Sequence, residues 1–387
     1  MQSKKIFIVA VLLTGFLLTG FSCSSSSLTS ARLYIQQKNY DKALSALKKE
    51  VAANPKSDEG YYLLGYVYSL QKKVDKMLSA YSKSLAISPK YKKEIQSSKI
   101  FSWASSFNSG VKSFQKGNSA STKDSAKIYY DKSIEGFKTA IKIEPDSISA
   151  YKNIAFVYLN AGKTDEAIAP LKMIIDKEKS KDGYKFLGTI YYQKAKDLKN
   201  QFKTTKLKKD SLAYMAMFDK AIAVLEAGKK VYPNDNDILL GLSNSYIGAR
   251  KIDVAMSAFK EGVKRQPNNK YYHYNYGVLL LGAKKYPEAI AQFKKAEKID
   301  PKYENAIYNI GIVYVQWGDA IYKQEQGKDV TTDKYKLKYE SALPYLEKVI
   351  QLRDKDASIW ETLGKVYTRL GKTNDAESAF KKADSLR

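Results

Sequence analysis

The stretch KYYHYNYGVLLLGAKKYPEAIAQFKKAEKIDPKY, residues 270–303, decides the fold, because its 34-residue pattern recurs elsewhere in the chain. Two further copies are NDILLGLSNSYIGARKIDVAMSAFKEGVKRQPNN (236–269) and DEGYYLLGYVYSLQKKVDKMLSAYSKSLAISPKY (58–91). Each copy has a small residue at position eight, a small or medium residue at twenty, an aromatic at twenty-four and a proline at thirty-two. Apolar residues recur at helical spacing in each half, which predicts two helices per copy. One such pair cannot cover its own apolar faces, so neighbouring pairs must stack.

This pattern resembles the tetratricopeptide repeat, and the resemblance extends over nearly all of residues 30–387. It implies an all-α fold, an α–α superhelix built as a right-handed solenoid of about nine helix pairs. Small residues at position eight, such as Gly65 and Gly277, let the two helices of a pair cross closely. The aromatic at position twenty-four then fills the gap to the next pair.

Three repeats are longer than the pattern requires. Their extra residues lie at about 119–126, 195–215 and 320–338, always between the first and second helix, so we expect them at one edge of the solenoid. The first of these repeats is expected to span about 102–146. The second insertion reads as two extended helices joined by a basic tip, either a solvated decoration or a distinct binding edge. Because Lys194–Lys209 holds seven lysines and few large apolar residues, we expect deletion of 197–210 to leave stability nearly unchanged.

The N-terminus has the layout of a secretory signal. Lys4 and Lys5 precede an uncharged apolar run over 6–21, and small residues lead to Cys23, the only cysteine. The stretch resembles a bacterial lipoprotein signal, although Gly20 stands where that family usually has leucine. The resemblance implies a signal peptide at 1–22, a lipid on Cys23 and a Ser-rich tether over 23–29. An uncleaved membrane-anchor helix is the alternative.

The lipoprotein resemblance also predicts a location. The protein is expected to be a membrane-anchored lipoprotein of the cell envelope. Ser24, which follows Cys23, resembles the outer-membrane sorting position of proteobacterial lipoproteins. We therefore expect the periplasmic side of the outer membrane.

The basic residues favour binding to anionic partners in general over recognition of a specific nucleic acid sequence. The formal net charge is +26, from 66 basic and 40 acidic residues, but only six of the bases are arginine. Since bidentate reading of bases and phosphates favours arginine, we expect no sequence-specific nucleic acid partner. An anionic polymer remains possible as a partner of the lysine-rich face.

The sequence contains no constellation of residues for catalysis. With one histidine and one cysteine, neither a His/Cys metal cluster nor a Cys–His pair can form, and no disulfide is possible. His273 falls at a position that packs between helices. We therefore predict no catalytic residue, no cofactor and no metal, and hence a binding function.

The resemblance places the recognition surface on the first helix of each repeat, with a few positions in contact with a partner. The predicted groove residues are Tyr62, Tyr66, Lys152, Phe156, Lys185, Tyr192, Asn244, Tyr274 and Tyr308. Tyrosine makes a good anchor, since it combines large contact area with a polar tip. The Lys–Asn clamp of chaperone-binding members is not matched, and asparagines at position six, such as Asn275 and Asn309, are expected to make local helix contacts.

Two functional hypotheses follow from these residues. The first is a scaffold that holds other proteins in its groove, and the sequence does not distinguish it from a domain that regulates an enzyme in trans. The second is a binder of an anionic envelope polymer or surface through its lysines, which should weaken steeply as salt rises.

Overall fold

The structure is a computed structural model that describes residues 25–326 and 332–387. These residues form eighteen α-helices and no strand. Contacts divide the chain into a first unit that ends at Ala150 and a second unit, Tyr151–Arg387. The predicted all-α solenoid fold of stacked helix pairs is confirmed.

The helices of the first unit alternate with short turns. Their bounds are α1 Ser26–Gln36, α2 Tyr40–Ala53, α3 Asp58–Leu70, α4 Val74–Ile87, α5 Lys92–Asn118 and α6 Lys123–Ile143, with a short 3-10 turn at Pro89–Tyr91. Helix α7, Ile148–Asn160, contains the division between the units.

The second unit continues the same alternation. Its further helices are α8 Thr164–Glu178, α9 Lys181–Thr205, α10 Lys208–Val231, α11 Asn236–Gly248, α12 Ile252–Arg265, α13 Lys270–Gly282, α14 Tyr286–Ile299, α15 Glu304–Glu325, α16 Lys334–Leu352, α17 Ala357–Arg369 and α18 Thr373–Ser385. Odd-numbered helices are the first helices of the repeats, and even-numbered helices are the second.

Left-handed residues make the tight turns inside the standard repeats. Lys284 has φ +60° between α13 and α14, and Gly371 has φ +73° between α17 and α18. The next amide closes the turn, since Lys285 N donates to Leu280 O at 2.8 Å. This left-handed cap satisfies the carbonyl groups at the end of the first helix and reverses the chain.

In several repeats the aromatic at position twenty-four packs on the glycine at position eight of the same repeat, whereas the pattern predicted that it fills the gap to the next pair. Phe293 is fully buried, and a Cβ added to Gly277 would lie 2.7 Å from its ring. The same pairing joins Gly364 to Phe380. The glycine at position eight is therefore the place where the second helix comes closest.

The extra residues of the three long repeats mostly lengthen helices. Helices α5 and α6, α9 and α10, and α15 and α16 all exceed the 13 to 14 residues of α11–α14. Helix α5 begins at Lys92, well before the expected start near Ser102. Residues 327–331 of the third insertion lie outside the described part of the chain.

The α9–α10 extension is packed, which differs from the expectation that its tip is dispensable. Tyr214 and Phe218 are buried there together with Ala195, and Leu198 and Phe202 pack against them. These apolar residues are spaced one helical turn apart among the lysines. The prediction of a dispensable tip rested on the number of lysines and did not detect this local core.

The described part of the N-terminus is helical earlier than expected. Helix α1 begins at Ser26, because the Ser25 side chain accepts a hydrogen bond from Leu28 N at 3.1 Å and caps the helix. The predicted tether over 23–29 is therefore shorter than the sequence suggested. The signal peptide at 1–22 and Cys23 lie outside the described residues. Among the helices that are described, none has the length and apolar character needed to cross a membrane.

Candidate protein-binding face

The first helices of consecutive repeats lie side by side in the second unit. Helix α9 contacts α11, and α11 contacts α13. We call the surface formed by the first helices α7, α9, α11, α13, α15 and α17 the first-helix face. Most of the predicted groove residues lie on these helices.

Polar side chains bridge neighbouring first helices. Lys185 on α9 pairs with Asp237 on α11 at 2.6 Å, and this hydrogen bond raises the pKa of Lys185. Asn275 Nδ2 on α13 lies 3.4 Å from Asn236 Oδ1 on α11. These bridges tie each repeat to the next in register.

The same bridging continues along α15 and α17. Asn309 Nδ2 donates to the Tyr274 hydroxyl at 3.2 Å, which links α13 to α15. Tyr308 on α15 packs against an apolar cluster that includes Ile359 on α17, and burial is the main cause that raises the pKa of its phenol. A chain of side-chain contacts therefore runs from α9 to α17.

Tyr274 is not available to a partner, which corrects its assignment to the groove. It is only 5% exposed and packs against Phe293 and Tyr303, with ring centroids 5.6 and 5.2 Å away. Burial raises the pKa of its phenol. Tyr274 is thus a core side chain, covered by Tyr303 at the end of its own repeat.

Several predicted residues remain half-buried on the first-helix face. Phe156 meets Phe186 edge-on at 5.5 Å, and Tyr192 packs on Phe218 at 5.8 Å. Asn244 and Tyr308 are also half-buried. Lys152 forms an ion pair with Glu178 at 2.5 Å, with both side chains well exposed. These residues have surface left for contact.

The two predicted groove residues of the first unit lie on α3. Tyr62 stacks on Tyr91 with ring centroids 4.6 Å apart and planes inclined by 6°. Burial is the main cause that raises the pKa of Tyr62 to about 12. Tyr66 is half-buried one turn further along α3. Tyr62 therefore presents an edge rather than a free ring.

Asparagines at position six make local contacts, as expected. Asn275 Nδ2 donates to Tyr271 O at 2.8 Å, and Asn309 Nδ2 donates to Asn305 O at the same distance. Both bonds run to the carbonyl four residues earlier in the same helix. The two asparagines brace the helices and also reach the neighbouring repeat.

Sequence reasoning missed the residues at the junctions between repeats. Asn236 begins its repeat and accepts a hydrogen bond from the Tyr303 hydroxyl at 3.2 Å. Arg353 forms an ion pair with Glu304 and donates to Asn305 Oδ1 at 2.7 Å. The recurrence of Asn, Asp or Glu at the first positions of a repeat is the sequence signal that could have indicated them.

The described residues offer no cluster of metal ligands. No group of three or more His, Cys, Asp or Glu side chains within them could hold a metal ion. His273 is 3% exposed, its Nε2 donates to Pro267 O at 2.8 Å, and its Nδ1 lies 2.8 Å from Gln292 Oε1. The predicted core position of His273 is confirmed.

Comparison with protein families finds the same repeat in several places. Models of the tetratricopeptide repeat match residues 28–92, 137–169, 240–304 and 357–387, which together make up about half of the chain. No curated protein matches the sequence.

Solved structures with similar folds are distant in sequence. A tetratricopeptide repeat protein from Parabacteroides merdae is 15% identical with a TM-score of 0.46, covering 72% of this chain and 93% of its own. Yeast Tom70 is 12% identical with a TM-score of 0.37, covering 93% of this chain and 84% of its own. The crystal structure of MamA is 22% identical with a TM-score of 0.34, covering 46% of this chain and 94% of its own.

Proposed function

Since the chain belongs to the tetratricopeptide repeat family, we propose that it is a non-catalytic scaffold that binds other proteins and is held in the cell envelope by a lipid on Cys23. The observation that carries the binding role is the bridged first-helix face. Side-chain contacts join its helices from α9 to α17, while aromatic side chains stay partly open on the same helices. A face that is already ordered loses little conformational freedom when a partner binds.

The partner that fits this face is an extended segment or an amphipathic helix. Half-buried Phe156, Tyr192 and Tyr308 offer contact area with few free torsions, which is the usual make-up of a binding anchor. Asn244 adds an amide that is half-buried on α11. A partner helix would lay its apolar side against these rings, as in helix-in-groove recognition.

The location of the protein forms part of the same proposal. The charged start, the apolar run over 6–21 and Cys23 support lipid attachment and an envelope position on the periplasmic side of the outer membrane. The scaffold would then gather envelope proteins at a membrane surface.

An anionic polymer is the second candidate partner. The net charge of +26, carried mainly by lysine, supports it. Such binding should weaken steeply with salt, whereas binding of a protein segment along aromatic anchors should vary little.

A photo-crosslinking experiment tests the scaffold function. A photoreactive phenylalanine analogue replaces Tyr192 or Tyr308 on the first-helix face, and in a matched control it replaces Val254, which is 62% exposed on the second helix α12. We expect defined protein adducts in envelope extract at Tyr192 and Tyr308 that persist in high salt. Equal adducts at Val254, or adducts lost in high salt, would contradict a protein-binding groove.

A further inference from the structure

The tip between α9 and α10 has a defined shape. Lys206 adopts the left-handed conformation at φ +53°, and its amide donates to Phe202 O at 2.8 Å. Leu207 follows in an extended conformation, and its carbonyl accepts from Asp210 N at 3.0 Å. The two-residue turn therefore holds the ends of both helices in place.

Two leucines at this tip are exposed to solvent. Leu207 is 49% exposed and Leu212 is 63% exposed. Neither leucine belongs to the local core of Ala195, Tyr214 and Phe218. Single exposed apolar residues are ordinary on protein surfaces, but here two large ones lie within six residues of each other, and Leu212 lies three and four residues after Lys209 and Lys208 on the surface of α10.

Lysines surround the two leucines. The side chains of Lys206, Lys208 and Lys209 make no hydrogen bond or ion pair with any residue that the structure describes, and all three residues are exposed. Lys203, one turn back on α9, donates only to Asn200 Oδ1 at 3.1 Å. These cations are therefore available to an external anion.

The acid nearest to the tip does not neutralise it. Asp210 is 7% exposed, and its carboxylate accepts a hydrogen bond from the Thr205 hydroxyl. Lys208 and Lys209 occupy the first turn of α10, where the helix dipole disfavours cations. No contact among the described residues thus explains why two lysines occur in the first turn of α10.

We infer that the α9–α10 tip docks on an anionic lipid bilayer. Leu207 and Leu212 enter the boundary between headgroups and acyl chains, while the surrounding lysines contact lipid phosphates. Exposed leucines next to lysines match an anionic bilayer, because its phosphates are anionic and the acyl chains beneath them are apolar. A soluble anionic polymer would use the lysines alone, so the exposed leucines favour lipid. This contact does not depend on Cys23 and goes beyond the scaffold function.

Vesicle sedimentation tests the docking. The protein used is residues 24–387, which keeps every described helix and every described core cluster. Its binding is compared on vesicles of phosphatidylcholine alone and on an equal mixture of phosphatidylcholine and phosphatidylglycerol. We expect binding to the mixed vesicles only.

Two variants separate the apolar and the charged contributions. Leu207→Ser with Leu212→Ser is expected to weaken binding to mixed vesicles roughly tenfold. The triple change Lys206→Gln, Lys208→Gln and Lys209→Gln is expected to weaken it roughly 10- to 100-fold. All of these side chains are exposed, so the melting temperature should stay near that of the unchanged protein and serves as the folding control.

Matched surface changes away from the tip provide the controls. Val254→Ser, and Lys48→Gln with Lys49→Gln and Lys56→Gln, change exposed residues of the same kinds elsewhere and should leave vesicle binding unaltered. Absence of binding to mixed vesicles would overturn the proposal. Binding that ignores the leucine changes, with equal retention of both proteins on dextran sulfate, would overturn it in favour of an anionic polymer. Neither outcome bears on the first-helix face.

Discussion

At the scale of single residues, the glycine at position eight sets how closely the helices of a repeat approach. A Cβ at Gly277 would lie 2.7, 2.9 and 3.0 Å from atoms of the Phe293 ring. Phe293 is fully buried. A larger residue at this position must therefore push the two helices apart.

We predict that Gly277→Ala destabilises the protein by about 1–3 kcal/mol, because overpacking against Phe293 outweighs the better helix propensity of alanine. The midpoint of urea unfolding, followed by circular dichroism, measures the effect. Gly241→Ala on α11 is the matched control, since its added Cβ would meet only the flexible Leu225 side chain at 3.3 and 3.5 Å. A midpoint for Gly277→Ala equal to that of the control would contradict the close-approach argument.

Buried tyrosines make stability depend on alkaline pH. Burial is the main cause that raises the pKa of Tyr62, Tyr81 and Tyr246 to about 12, from the usual 10.0 of a tyrosine phenol. The folded protein therefore holds the phenolic protons more tightly than the unfolded chain does. The stability that this provides is complete below pH 10 and is lost as the pH rises towards 12.

We accordingly predict that the urea midpoint falls between about pH 9 and about pH 11. Tyr81→Phe removes one titrating phenol, so its midpoint should fall less over this range, although it loses the hydrogen bond from the Tyr81 hydroxyl to Ser98 Oγ. A flat midpoint up to pH 11 in the unchanged protein would show that these phenols do not titrate on unfolding.

At the scale of elements, the long helix pairs show that an insertion can extend an existing core. Helix α9 has 25 residues and α10 has 24, and their extensions enclose Ala195, Tyr214 and Phe218. Lys199 Nζ crosses to Gly248 O at 3.3 Å and lies over the rings of Tyr214 and Phe218. The extension thereby also supports the end of α11.

We predict that deletion of residues 197–210, closed by two glycines, lowers the free energy of unfolding by about 3 kcal/mol or more. The deletion removes Leu198 and Phe202 and exposes Tyr214, and loss of one large buried side chain already costs about this much. Urea unfolding measures the change. Leu212→Ser, at a residue 63% exposed, should leave stability nearly unaltered. An unchanged midpoint of urea unfolding after the deletion would support the alternative that the tip is solvated and adds nothing to stability.

At the scale of the whole molecule, the proposed lipid on Cys23 determines where the first-helix face works. Cys23 is the only thiol of the chain and lies ahead of the first described helix. A lipid at this position would leave all the repeats free to bind a partner beside the membrane.

We predict that the unchanged protein incorporates a radioactive fatty acid in growing cells and fractionates with membranes, whereas Cys23→Ser takes up no label and is either released from membranes or left unprocessed. Adding Ser27→Cys to the Cys23→Ser protein should not restore labelling, because processing requires the thiol directly after the small residues that end the apolar run. Membrane fractionation without any label in the unchanged protein would support the alternative of an uncleaved anchor helix.

The sequence by itself determined the helix pairs, their number and the close contacts inside each repeat. These features depend on neighbours three or four residues apart, or on the repeat spacing that brings Gly277 to Phe293. The burial of His273 also followed from its place in the pattern. The local periodicity of apolar residues is sufficient for such inferences, because it predicts which side of each helix is buried.

Only the tertiary structure decided which groove positions stay open and how far the insertions pack. Tyr274 and Tyr308 occupy the same position in successive repeats, yet Tyr274 is buried under Tyr303 while Tyr308 is only half-buried. The extensions of α9 and α10 likewise enclose a local core, which the seven lysines of this segment did not indicate. The physical reason is that exposure depends on the size and reach of side chains from other helices and turns, such as Tyr303 at the end of the repeat, and the helical period within one helix carries no information about them.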